Sequence, residues 1–159
     1  MNDFLARWAL KEREYGLESI SARMIPIGDT FLPDSAAPGL SFDTASEPVH
    51  VYDVFGAWAD WTENDRERLS SYLMIGTDGA GNPICLDDAG AVILLDHEDG
   101  FRTIQFVNSS VSQLCECLLA YMGEEDASRF NYTVGLVDVA AMQPKSFWWY
   151  EAAALQAAA

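Results

Sequence analysis

The residues in this chain with chemistry to offer are two histidines, three cysteines and a series of carboxylates set between strand-like segments. Catalysis would need them grouped in a recognisable pattern. His50 and His97 are far apart in sequence, and neither belongs to an HExxH helix, a His-Cys-Cys set of the deaminase type or a GxSxG nucleophile elbow. Both are read as structural. The glycine-rich TDGAGN, residues 77–82, lacks the Lys and Ser/Thr of a phosphate-binding loop and is expected to join two strands rather than a strand and a helix. An odd number of cysteines closes no disulfide framework, and Cys115 and Cys117, two apart on an expected helix, point in different directions. They read as reduced packing residues. No catalytic residue, metal site or cofactor is expected.

The carboxylates are more informative. Asp78, Asp87, Asp88, Asp96, Glu98 and Asp99 could in principle supply oxygen ligands to calcium, but neither DGAGNP nor DHEDGF keeps the D-x-[DN]-x-[DN]-G register with a closing glutamate. Carboxylates at successive hairpin ends make instead a negative rim, either a solvated surface or a docking site for a cationic protein. The candidate partner-binding residues are therefore Asp78, Asp87, Asp88, Glu98 and Asp99. Trp58 and Trp61 join them, because aromatic anchors are enriched at interface hot spots, although burial against a sheet edge is their commoner fate.

The whole composition points the same way. Against 25 Asp and Glu stand 9 Lys and Arg, a formal net charge of −16. Such a surface repels phosphate backbones and anionic membranes, so neither nucleic acid nor a membrane is expected as a partner, and it speeds encounter with a basic protein. The competing explanation is that acidity merely keeps a cytosolic protein soluble. With 159 residues, half of them hydrophobic, the chain suits one domain with a real core. No apolar run approaches the roughly 18 to 20 residues that span a bilayer, and MNDFLARWALKEREY has no signal-peptide pattern, so a cytoplasmic location is expected.

The elements that must position these residues are organised around Tyr72 to Met122. Tyr72–Gly76 and Pro83–Asp87 read as a hairpin about TDGAGN, AVILL as a strand covered on both faces, and Phe101–Val107 as a fourth strand with Ile104 and Phe106 on its buried side. Ser110 and Gln113 then form a capping box for a helix with Val111, Leu114, Cys115, Leu118, Leu119 and Met122 at helical spacing and Gly123 as its stop. Around this core an N-terminal helix carries Trp8 and stops at Gly16, Ile25–Pro48 is an irregular connection, and Val49–Phe55 is strand-like. Thr62 and Asp65 cap a short helix to Leu69, Tyr132–Val137 is expected as a strand bulged at Gly135, Asp138 caps a turn, and Ser146 caps a C-terminal alanine-rich helix. The expected fold is α+β, a mainly antiparallel sheet of about five or six strands with helices mostly on one face.

The ordered series of a strand ending in IG, a glycine turn, ICLD, an apolar strand and FVNSS opening a helix resembles the SUKH superfamily, in particular the fourth group of SUKH immunity proteins. LVDVAAM and the following FWW echo the same group's C-terminal pattern. The resemblance implies one SUKH-like domain that binds and neutralises a cognate bacterial toxin, a nuclease or deaminase among the possibilities, without catalysis. Relatives of the superfamily also occur as interaction modules, so a regulatory or scaffold domain is the alternative. An enzyme with an unfamiliar site is the third reading.

Overall fold

The computed structural model describes residues 2–17, 23–43, 49–55 and 61–159. The chain begins with helix α1 (Asn2–Glu14), the strands β1 (Met24–Ile27), β2 (Thr30–Pro33), β3 (Ser35–Ala36) and β4 (Leu40–Phe42), and the short helices α2 (Val51–Phe55) and α3 (Glu63–Leu69). It continues through β5 (Leu73–Thr77), β6 (Pro83–Leu86), β7 (Val92–Leu95) and β8 (Ile104–Asn108) to the helices α4 (Val111–Tyr121), α5 (Ala127–Val137) and α6 (Phe147–Ala158). Among the described residues two 3-10 turns, His97–Asp99 and Val139–Met142, interrupt the connections.

Six strands make one antiparallel sheet in the order β3-β4-β5-β6-β7-β8, and β1 and β2 form a separate hairpin. The fold is the α+β arrangement expected. Every residue of β7 is buried, because Val92 and Leu94 face one apolar cluster while Ile93 and Leu95 face another. The first cluster joins that face to α1, α4, α5 and α6 through Trp8, Leu114, Leu118, Phe130 and Trp148. The second is smaller, with Val51, Phe55 and Leu69 of α2 and α3 covering Cys85, Ile93 and Leu95.

Helix α4 lies on the first face as its spacing dictates. Ser110, in extended backbone, accepts the Gln113 amide at 3.2 Å, and Leu114, Cys115, Leu118 and Leu119 are buried. The capping box is incomplete, since the Gln113 side chain accepts the Ser110 hydroxyl and donates to the Val137 carbonyl at 3.2 Å instead of returning to the cap. Alongside α4 runs α1 in the same direction. Arg7 grips Glu116 with two bonds of 2.6 and 2.7 Å, Lys11 donates to the Leu119 carbonyl, and Tyr15 lies over Gly123.

Several expectations are corrected. Val49–Phe55 is not a strand: His50 makes a single bridge to Leu73, and α2 follows, its Val51 and Phe55 four apart and both buried on the second face. Tyr132–Val137 belongs to α5. Asp126 accepts the Arg129 amide at 3.0 Å and starts a helix that buries Phe130 and Val134. Of Ile25–Pro48, residues 44–48 lie outside the described residues, and the rest holds β2, β3, β4 and all but the first residue of β1, each strand of four residues or fewer, with Leu32, Leu40 and Phe42 buried. Ile104 is 52 % exposed, and burial in β8 falls on Val107 and Asn108. Neither Asp138 nor Ser146 caps through its side chain. Thr62 and Asp65, by contrast, form the expected reciprocal cap of α3.

Candidate partner-binding surface

An antiparallel meander sends alternate turns to opposite ends of the sheet, and this divides the carboxylates that sequence alone would collect into one rim. The β5–β6 turn, with Asp78, and the β7–β8 connection, with Asp96, Glu98 and Asp99, lie at one end. They touch there: the His97 backbone N–H and ring Nδ1 both donate to Asn82 Oδ1, at 3.0 and 2.7 Å. The β3–β4 turn reaches the same end, where a Cβ on Gly39 would lie 4.0 Å from the Gly79 nitrogen. Asp87 and Asp88 sit in the β6–β7 turn at the other end, a four-residue strand or roughly 13 Å away. Four of the acidic groups therefore form a cluster, and two stand apart.

Most of these carboxylates are fixed by their own turns. Asp78 accepts the Ala80 and Asn82 amides at 3.0 and 2.9 Å, and Asp87 accepts those of Ala89 and Ala91, both at 2.9 Å. Asp99 accepts the Thr103 hydroxyl and the amides of Arg102 and Thr103. The Thr103 hydroxyl, with backbone N–H groups of Arg102 and Thr103, holds the Asp99 carboxyl below the ordinary carboxylate range, so it stays ionised. Such charges are oriented before a partner arrives. Asp88 and Glu98 are exposed and make no side-chain hydrogen bond among the described residues.

Trp61 lies beside the clustered end. Its ring centroid is 5.8 Å from that of Phe101, it packs on the second apolar cluster, and its buried indole N–H has no partner among the described residues. Trp58 lies outside the described residues. The second face also holds His50, whose Nδ1 donates to the Tyr72 carbonyl at 3.2 Å. Both histidines thus clip segments together.

A different set of polar residues converges inside the protein. Asn108, fully buried, accepts the Trp148 indole N–H at 2.8 Å through Oδ1 and donates through Nδ2 to Asp138 at 3.1 Å and Cys117 Sγ at 3.3 Å. Asp138 also accepts the Ser109 amide and hydroxyl at 2.7 and 2.8 Å, which is why it cannot cap the turn after it. The three pieces FVNSS, LVDVAAM and FWW, distant in sequence, each contribute one member: Asn108, Asp138 and Trp148. The network locks the end of β8 to α4, α5 and α6, with Asn108 and Trp148 wholly buried and Ser109 at its exposed edge. In the IG segment, a Cβ on Gly76 would come within 2.1 Å of the Ser41 carbonyl oxygen, so only glycine lets β4 approach β5 there.

Comparison with protein families places this architecture. A family model described as SUKH-4 immunity protein matches residues 28–155. The chain belongs to the SUKH-4 immunity protein family. Comparison with curated proteins and with solved structures gave no match. Within this SUKH-4 chain the matched span takes in the whole six-stranded sheet and the buried Asn108 network, while α1 lies outside it. The motif residues Asn108, Asp138 and Trp148 hold the frame together from within, and the acidic end of the sheet is displayed on that frame. The thiols of Cys85, Cys115 and Cys117 are all buried, which pushes each up to about 12 and keeps them protonated. Among the described residues no group of three or more His, Cys, Asp or Glu is placed to hold a metal ion, and no helix is long and apolar enough to cross a membrane.

Proposed function

We propose that this SUKH-4 chain is one immunity domain that acts in the cytoplasm without catalysis, occluding the basic substrate-binding surface of a cognate toxin such as a nuclease or deaminase. Family membership carries the reading. The mode is supported by the net charge of −16 and by the meeting of Asp78, Asp96, Glu98 and Asp99 at one end of the sheet, with Trp61 beside them. Lysines and arginines that hold a phosphate backbone would find there an arrangement of fixed carboxylates. Asp87 and Asp88 form a lesser, separate patch.

Occlusion and catalysis differ in stoichiometry. Purified cognate toxin, titrated with this chain, should lose activity linearly and reach zero at molar equivalence. Progressive inactivation with time, well below equivalence, would show turnover and contradict the proposal. His50→Ala and His97→Ala, where folded, should inhibit at the same stoichiometry as the parent.

A further inference from the structure

A cavity of about 500 Å³ opens between α1, α4 and the β3–β4 hairpin. Leu17, Leu40, Leu118 and Met122 make its walls apolar, and from α1 it receives Trp8 and Glu12, four apart and so on one face of the helix. Glu12 is 7 % exposed, yet its carboxylate has no hydrogen bond or ion pair among the described residues. Of the cations of α1, Arg7 is engaged with Glu116 and Lys11 with the Leu119 carbonyl, and the exposed Arg13 makes no pair with Glu12. Glu12 is covered as a residue, but its carboxylate oxygens are not sealed from water and no cation of the chain pairs with them among the described residues, so a cation from outside would find a free acceptor set among apolar walls. The cavity also adjoins the acidic end of the sheet, because the β3–β4 turn on its rim is the one that approaches Gly79.

We infer that this cavity receives an arginine side chain presented by the partner protein, with Glu12 as its counter-ion. This rests on the immunity reading above and adds to it the residue type that the toxin inserts. The chemistry selects arginine. A lone carboxylate asks for a cation, and apolar walls ask for an aliphatic stem. The guanidinium is more weakly hydrated than an ammonium, pairs in two-pronged fashion with a carboxylate, and sits well against an aromatic wall such as Trp8. A partner steered to the acidic end of the sheet would bring its basic residues to the cavity mouth.

The test uses N-acetyl-arginine methylamide as probe, with N-acetyl-citrulline methylamide as its uncharged isostere, followed by the Trp8 indole N–H resonance in two-dimensional NMR. The arginine probe should shift that resonance saturably. The citrulline probe, and the arginine probe on Glu12→Gln, should bind weaker by about tenfold or more, as loss of a charged hydrogen bond implies. Ala36→Phe, which fills the cavity from the β3 side, should abolish binding while Glu12 remains. Absence of a saturable shift, equal binding of citrulline, or unchanged affinity in a folded Glu12→Gln would overturn the inference. Agmatine binding tighter than the blocked arginine would overturn it in favour of a small free cation. Toxin titration and probe binding are separate measurements, so failure of the probe leaves stoichiometric inhibition standing, and failure of inhibition leaves the cavity's affinity measurable.

Discussion

At the residue scale, the decisive side chain is Asn108, which no surface argument would select. Its amide satisfies the Trp148 indole N–H on one side and Asp138 on the other, all within the core. Asn108→Ala would strand the buried Trp148 indole N–H and leave the Asp138 oxygen with the Ser109 N–H alone, so a loss of about 1 to 3 kcal/mol in chemical unfolding is expected. A change below about 1 kcal/mol would mean that the network is not what ties β8 to α6. Gly76→Ala makes the complementary point about backbone approach. Its Cβ meets the Ser41 carbonyl oxygen, and relieving that clash by moving β4 should cost about 1 to 3 kcal/mol.

At the element scale, the sequence pattern of α4 was legible because capping, spacing and stop signals agreed. Leu118→Ala, at a site 1 % exposed between helix and sheet, should cost about 2 to 5 kcal/mol in a denaturation midpoint measured at unchanged slope. The meander β5 to β8 was legible for the same reason: glycine turns and apolar runs repeated in register. Helices α2 and α5 were not. Both carry β-branched and aromatic residues whose local preference is extended, and the four-residue spacing of Val51 with Phe55, and of Phe130 with Val134, decides only once a face exists to bury them. The strands β1 to β4 were hidden by prolines and by their shortness. At the start of α5, Arg129 holds Glu124 with two bonds of 2.8 Å, and this pairing lowers the Glu124 carboxyl from 4.5 to about 2. Because the folded value lies below the ordinary one, the contribution to stability is full above about pH 4.5 and disappears as pH falls towards 2. Glu124→Gln should therefore be less stable than the parent near neutrality, with the difference closing at pH 2; a constant difference would rule out the ion pair as its source.

At the scale of the whole molecule, the acidic character was plain from composition, but its distribution was not. Hairpin ends are adjacent in sequence and alternate in space, so Asp87 and Asp99, joined by a sequence reading, belong to opposite ends of the sheet. Nor could sequence reveal that α1 closes a cavity with a buried, unpaired Glu12. On the function proposed, a basic toxin docks at the end of the sheet formed by the β5–β6 turn and the β7–β8 connection. Exposed charges act mainly on encounter, and the Debye length of about 8 Å at physiological salt is shorter than the sheet, so the two ends can be told apart. Glu98 and Asp88, both exposed and making no side-chain hydrogen bond among the described residues, allow reversal without disturbing a turn. Stopped-flow association with the cognate toxin across a salt series is the direct measurement. The parent should associate rapidly at low salt and slow steeply as salt rises, Glu98→Lys should lower the on-rate several-fold at low salt, and Asp88→Lys should change it little. A salt-independent rate, or equal effects of the two reversals, would contradict docking at that end.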